Sequence, residues 1–552
     1  MLNNNKINVH FSNGENITSY KNEKISSILK RLKNVPDHLF AVKVDNEEHK
    51  LDYQVIEDCN VSFITYFDEE GEKIYAKSLK FIMLMAFKLI YPEARVKIGN
   101  KISRAYYIKV NGIEVNDYMV QNVKEKMNEI ISQDLFIEKE KPSYRRLKQI
   151  YIEMDSMSQL ENFKIKLSDT YTIYKCNGYY NYLYGRLVPK TGNIKGFDLG
   201  IYKDSLVLML PKKDNIYTVD KKIKNSKILD TTKDFNHFLD IIGIPNVSCL
   251  NNAVLSGTID NIIRIAEADQ SRRLEECVSK IKRRKRVKAI YICGPSSSSK
   301  TTFAQRLAEQ LRVSGIKSFI ISMDNYFNDE ENIPFDKDGK KDYECFENID
   351  FQLFSRQIQK LLSYNKVNMP HYDFTINKKL FDKYPTKLEG GELLIIEGIH
   401  ALNPKLSEII ADEKTFKIYV APIVTLSYDL YTGVSSNDTR LLRRLVRDSQ
   451  SRGNSPENTL KMWAKVREGE EKNIFPYVNK SDYIFNTSLV YEIGVLKLFA
   501  EPMLLQISDE SEFYSDARRL YKMLQNFRFI QTDQIPSNSV IKEFIGKGCF
   551  YR

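Results

Sequence analysis

The chain has 552 residues and 42% hydrophobic content, more than one core usually serves, so two to four domains are expected. Its formal net charge of +11 invites anionic partners, whereas seven scattered cysteines with no CxxC pair argue against a zinc knuckle or a disulfide framework and fit a reducing cytoplasm. The start is polar, and the longest apolar run, Leu79 to Ile90, is interrupted by Lys80 and Lys88, so neither an export signal nor a membrane span is expected.

Taken in chain order, Ile7, Val9 and Phe11 alternate with polar residues, Asn13-Gly14 signals a two-residue hairpin, and Ile17 and Tyr20 open the return strand. An acidic turn (Asp68, Glu69, Glu70, Gly71) then leads into an apolar helix through Leu89 that stops near Pro92, and a mixed α/β region follows. Helical spacing returns from Asp234 to Ile281, with Leu239, Ile242, Ile262, Ile263 and Ile265 at apolar positions. It runs into a basic stretch containing Lys280, Lys282, Arg283, Arg284, Lys285, Arg286 and Lys288, which reads more readily as a solvated domain junction than as an RNA contact. Beyond it, Val287–Cys293, Lys317–Met323, Leu393–Ile396, Phe416–Val420 and Tyr483–Phe485 read as short buried strands separated by helices. That alternation predicts an α/β fold with a parallel sheet covered by helices on both faces and ligands at the strand carboxyl ends.

The strongest chemical signal follows the first of those strands, in Gly294, Pro295, Ser296, Ser297, Ser298, Ser299, Lys300, Thr301 and Thr302. A phosphate-cradling P-loop needs Gly, four free positions, Gly, Lys and then Ser or Thr: bare backbone N–H groups wrap the polyphosphate, Lys reaches its outer phosphates, and the hydroxyl holds Mg²⁺. Gly294, Lys300 and Thr301 fit, but the second Gly is Ser299, whose Cβ costs roughly 1–3 kcal/mol if the backbone keeps a positive φ. Phe303, Leu307 and Leu311 continue as a helix to Gly315, so the helix N-terminus faces the phosphate site.

Two acids, Asp324 and Glu397, close later strands and with Thr301 form a candidate Mg²⁺ site, Asp324 also serving as a base for an acceptor hydroxyl. Arg440, Arg443, Arg444 and Arg447 recur at i, i+3, i+4 and i+7, a cationic stripe suited to a lid that closes on ATP phosphates.

From Val287 onward the chain resembles uridine kinases, and more narrowly long bacterial nucleoside kinases with synthetase-like N-terminal domains. The resemblance is carried by GPSSSSKTTF, MDNYF, YDF at Tyr372 to Phe374, LLIIEGIHALNP, DTRLLRRLVRD with SRG, and MWAKVREGEEKNIFP. It implies a P-loop NTPase fold, ATP or GTP as phosphate donor with Mg²⁺, and the 5′-hydroxyl of uridine or cytidine as acceptor. It also implies Asp324 as base, Lys300, Arg440, Arg443 and Arg447 around the transferring group, and Thr301, Asp324 and Glu397 around the metal. Asp324, Tyr326, Glu347, Tyr372 and Asn377 are then the acceptor-binding residues, Glu347 standing where the family usually has an Asp for the ribose hydroxyls. Asn377 replaces the His that usually follows YDF.

The N-terminal half resembles threonyl-tRNA synthetases: a β-grasp TGS-like module over residues 1–67 and the synthetases' second additional domain, α+β, over 68–230. A helical connector over 231–284 and the kinase-like domain over 285–552 complete the expected organisation. Matching YPEA and YGRLVPKTG places Lys77, Phe81, Leu183 and Leu187 where the synthetases hold a metal and edit, so that chemistry is expected to be absent. Expected partners are a nucleoside, a nucleoside triphosphate, RNA through the N-terminal domains and further copies of the chain, without a membrane. A different reading is a degenerate kinase that binds nucleotide or RNA without catalysis, suggested by Ser299, Asn377 and the basic junction.

Overall fold

In the computed structural model, which describes residues 5–154, 171–183, 185–221, 226–373 and 376–550, the alternation of Ile7, Val9 and Phe11 becomes a strand with those three side chains buried. Lys6–Phe11 lies in a five-stranded sheet between Asn16–Tyr20 and Cys59–Thr65, followed by Leu39–Val44 and Glu47–His49. Lys6–Phe11 and Asn16–Tyr20 are antiparallel, Val9 opposite Ile17, whereas Val9 runs parallel to Cys59. The hairpin is where Asn13-Gly14 predicts it, but its loop is longer than two residues. Phe11 N–H donates to the Glu15 carbonyl at 2.8 Å, and Gly14 takes φ +86°, which a glycine adopts without strain.

Helix α1 (Glu69–Ile90) begins with Glu69, Glu70 and Glu72 in its first turn, where acids complement the helix dipole. It is buried on nearly every side, so even Lys80 is only 5% exposed, its ammonium donating to the Tyr431 carbonyl at 3.2 Å. Around it lie the Asp117–Ser132 helix and an antiparallel sheet ordered Asp198–Tyr202, Ser205–Met209, Ala105–Asn111, Arg95–Ile102. Phe81, Leu183 and Leu187 pack into this core, the Phe81 ring meeting Tyr179 edge-on at 5.2 Å. Three of the four positions aligned with the synthetase ligands thus carry apolar packing, and the fourth is Lys77, whose ammonium is lowered by burial to about 7.

Helix α2 (Ile259–Arg283) ends in the basic run, where Lys280 pairs with Glu276 at 2.9 Å and Arg284 with Asp482 at 2.7 Å. The helices upstream of the P-loop share one core with later parts of the chain: Leu239 and Ile263 pack in the same cluster as Leu442, Leu445, Leu520, Val540 and Phe544.

The second half is built on five strands: β1 (Ala289–Cys293), β2 (Ser318–Ser322), β3 (Leu393–Glu397), β4 (Thr415–Ala421) and β5 (Tyr483–Asn486). Their spatial order is β2-β3-β1-β4-β5 and every pairing is parallel, with Ile290 of β1 between Ile395 and Phe416. The expected α/β class is therefore found, with separate apolar clusters on the two faces of the sheet. The loop after central strand β1, the turn after β2 and the end of β3 meet at one edge, where ligands of such sheets lie. Among the described residues no helix is long and apolar enough to cross a membrane.

Candidate active site

Buried strand β1 delivers Gly294 against the Val420 carbonyl, where a Cβ would collide, and the loop then turns into α3 (Lys300–Val313). Ser299 is the residue before that helix and sits at φ 66°, ψ 35°, the left-handed conformation a glycine adopts freely. The substitution has left the loop geometry in place at a cost in strain. The Ser299 hydroxyl, 3.4 Å from the Val540 carbonyl, recovers little of it. Ser299→Gly relieves the left-handed strain but adds unfolded-chain entropy, so a net gain of ~0.5–1 kcal/mol is expected. Urea titration at unchanged m-value measures it; a loss of stability would show that the serine is favoured there.

Ser297 and Ser298 are buried with hydroxyls that meet no partner among the described residues, so the cradle holds polar capacity those residues do not use. Lys300 folds back on the Pro295 carbonyl at 3.2 Å, and the Thr301 hydroxyl lies 3.4 Å from Glu397 Oε1. Asp324, on the turn after β2, is held above the usual carboxylate range chiefly by burial, against a downward pull from Lys300, Arg452 and Arg447. Glu397 is raised for the same first reason, and then by Asp324. Like charges crowded into a low-dielectric pocket favour a shared proton or a bound cation. The structure thus brings together Lys300, Thr301, Asp324, Glu397 and Arg447.

The arginine stripe forms on α4 (Ser436–Ser451), but the expected lid needs correction. Arg440 is 3% exposed, pairs with Glu470 and donates from Nε to the Ser296 carbonyl at 2.9 Å. Arg443 is fully buried; its Nε donates to Glu492 at 2.6 Å, and its Nη1 reaches the Ser297 carbonyl at 3.4 Å. Arg444 donates to the Ser296 hydroxyl at 2.9 Å. Apolar residues on the same helix draw this face inward, and buried guanidinium groups need acid partners. Arg440 and Arg443 therefore brace the P-loop through its carbonyls. Arg447, paired with Asp448 at 2.7 Å, keeps its charge near Asp324.

The acceptor side differs more from expectation. Tyr326 is fully buried, with its hydroxyl on Gln357 at 2.8 Å and its ring edge-on to Phe354, because the short 3₁₀ turn Met323–Tyr326, which also carries Asp324, points it back into the core. Glu347 faces solvent, 64% exposed, with Lys405 3.7 Å away. The acid that faces the site is Glu344, three residues earlier; burial first, then Glu470, lifts its carboxyl to about 7, with Asp324 and Lys300 also within influence. The two glutamates of the ECFENID segment were visible in the sequence, but only the loop's path distinguishes them. Tyr372 is buried beside Phe327, ring centroids 5.8 Å apart, and its N–H donates to the Asn325 side chain at 3.3 Å. Asn377 occupies a hairpin turn at φ 50°, which Asn tolerates, and its amide lies 3.5 Å from Glu330. Phe374 of the YDF segment lies outside the described residues. Thr302 turns its hydroxyl to Glu543 at 2.7 Å, and Pro295 and Ser296 complete the loop.

Glu344 also gives a pH signature. An unfolded Glu titrates near 4.3, so raising its folded value to about 7 stabilises the fold fully below the unfolded value. That contribution is lost as pH rises through 7. Because the side chain is partly exposed, Glu344→Gln is expected to lessen the fall in stability between pH 5 and 8 by only ~1–2 kcal/mol. Parallel melting-temperature curves for the two proteins would exclude this burial effect.

A wholly parallel sheet with a P-loop on its central strand and two acids on neighbouring strand ends defines a P-loop phosphotransferase. Residues 289–493 match the model of the phosphoribulokinase/uridine kinase family. A uridine kinase of Lactobacillus johnsonii is 30% identical over 201 residues, 36% of this chain and 86% of the relative. The chain belongs to the phosphoribulokinase/uridine kinase family. Over its N-terminal region it is similar to the threonine–tRNA ligase of Clostridium kluyveri, 28% identical over 197 residues, 35% of this chain but only 31% of the ligase. A solved structure described as a possible uridine kinase from Bacillus stearothermophilus is similar over 40% of this chain and 98% of its own, at 19% identity and a TM-score of 0.27.

Proposed function

We propose that the protein transfers the γ-phosphate of ATP or GTP to the 5′-hydroxyl of uridine or cytidine. The observation that carries this reading is the placement of Asp324, with Lys300, Arg447 and Arg452 influencing it from the phosphate side and Asp324 in turn acting on Glu344 on the acceptor side. Lys300 swings from the Pro295 carbonyl to the outer phosphates, and Asp324 accepts the acceptor proton as its oxygen attacks phosphorus and the diphosphate leaves. Glu344 takes the role expected of Glu347 and accepts hydrogen bonds from the ribose hydroxyls, while Tyr372 and Phe327 flank the base. Thr301, Glu397 and Asp324 offer hard oxygen donors suited to Mg²⁺, which takes one or two carboxylates and completes its shell with phosphate and water. Held by those residues, Mg²⁺ would supply neutralisation of charge on the transferring group.

Residues 1–67 and 68–230 are assigned to the TGS-like and second-additional-domain-like units, 231–284 to the connector and 285–552 to the kinase. Incubating the protein with uridine, cytidine, other nucleosides and a sugar phosphate, each with ATP or GTP and Mg²⁺, tests the reaction. A pyrimidine nucleoside 5′-monophosphate is the expected product. Turnover of the sugar phosphate alone would replace the acceptor, and no turnover of any acceptor would remove the enzyme assignment.

A further inference from the structure

The family match ends at residue 493, yet the chain's last fifty residues return to the P-loop. Val540 offers its carbonyl to the Ser299 hydroxyl at 3.4 Å, and Glu543 Oε2 accepts from the Thr302 hydroxyl at 2.7 Å. The Phe544 ring lies under the Arg443 guanidinium, 5.0 Å from ring centroid to carbon. Ser539 anchors the segment on Glu267 at 2.5 Å, and Val540, Ile541 and Phe544 are buried in the core shared with α4. The segment therefore has a fixed position against the loop, and it places a carboxylate in the first turn of α3, the part of a P-loop that receives phosphate.

If Lys300 serves the outer phosphates, with Asp324 and Glu397 beside them, the inner, nucleoside-bearing phosphate falls to the first-turn amides next to Thr302. Glu543 is already there. Lys542, its neighbour, is buried and near Lys547 and Asp533, so it provides no counter-ion that the structure pairs with Glu543. A phosphate entering beside Thr302 meets an anion that has taken the hydroxyl it would use.

We infer that Glu543 is an affinity-setting residue of the donor site: it occupies the inner-phosphate end of the P-loop, competes with the incoming polyphosphate, and ties nucleotide binding to the position of the C-terminal segment. This rests on the P-loop reading given under the proposed function. The competition is with phosphate, so it is blind to the base. ATP, GTP and inorganic tripolyphosphate all gain when it is removed.

The test is equilibrium binding of these three ligands to the full chain and to Glu543→Gln, which keeps side-chain shape and removes charge. The variant is expected to bind all three about 5–20-fold more tightly, the order expected when a partly screened like charge is removed from a phosphate site, with the gap narrowing as salt is raised. Glu543→Asp, which keeps the charge but draws it back, is expected to fall between the two and shows that the gain is not a folding artefact. Unchanged or weaker binding by Glu543→Gln overturns the inference. A change confined to ATP or to GTP does so too, because the residue would then read the nucleoside. If neither protein binds any of the three, the P-loop reading itself fails. Binding by the wild type with no gain in the variant removes only the role of Glu543.

Discussion

Asp324→Asn is expected to lower the rate of phosphoryl transfer by roughly 10²–10⁴ while nucleotide affinity stays within a few-fold. The carboxylate faces Lys300, Arg447 and Arg452 and is held by burial at a raised proton affinity, the condition of a base that is to take a proton from an alcohol. An amide keeps the shape and the polar contacts but accepts no proton. Single-turnover rates measured with saturating nucleotide separate chemistry from binding. An equal loss in nucleotide affinity and rate would mark Asp324 as a structural or metal-holding group without a role as base.

A comparably large effect on stability is expected at Arg443. Its guanidinium is fully buried, bonded to Glu492 at 2.6 Å and to the Thr487 carbonyl at 3.0 Å, and it reaches the Ser297 carbonyl in the P-loop. Arg443→Ala leaves the Glu492 carboxylate, 1% exposed, without its cation and is expected to cost ~3–5 kcal/mol, because an uncompensated buried charge costs more than the pair contributes. The double change Arg443→Met with Glu492→Leu removes both charges and is expected to recover most of that loss, while the loop, now unbraced, binds nucleotide less tightly. Urea unfolding and nucleotide titration measure the two effects. A single-variant loss below about 1 kcal/mol would place Arg443 outside the loop's support.

Glu470 shows how the same bracing joins separate elements. Helix α5 (Pro456–Asn473) carries it into the pair with Arg440, where it also accepts the Ser296 N–H at 3.1 Å. Trp463 of that helix lies against the Arg440 guanidinium, 5.2 Å from its ring. The arginines of α4 and the acids of α5 and of the helix beginning at Glu492 hold the loop from behind. Of the stripe only Arg447 stays toward the phosphate side, with Lys300, Thr301 and the backbone, while Glu543 stands at its inner end.

The parts of the fold legible in the sequence are those governed by short-range pattern. Ala289–Cys293 is an unbroken apolar run that fits only a strand buried on both faces, and Lys300–Val313 repeats its apolar residues at helical spacing. The loop between them is set by residue type at fixed spacing, so Gly294, Lys300 and Thr301 could be named directly. Ser299 could be named as the strained position for the same reason.

Periodicity was equally plain in the stripe of Arg440, Arg443, Arg444 and Arg447, but its direction was not. A helical repeat of charge looks the same whether it faces water or acids brought in from residues 470 and 492. Glu344 and Glu347, three apart in one segment, are alike in chemistry, and only the path of the loop along α5 sends one toward Asp324 and the other to solvent. Tyr326 and Glu543 repeat the lesson at longer range, one turned into the core by Gln357 and the other returned to the P-loop across 241 positions. Residue order sufficed for the phosphate loop, the strand and helix around it and the acids that close neighbouring strands, because these follow from local sterics and hydrophobic period. Tertiary structure alone decided which charges face the substrate and which are neutralised behind it, because burial and ion pairing depend on partners that the chain brings together only when folded.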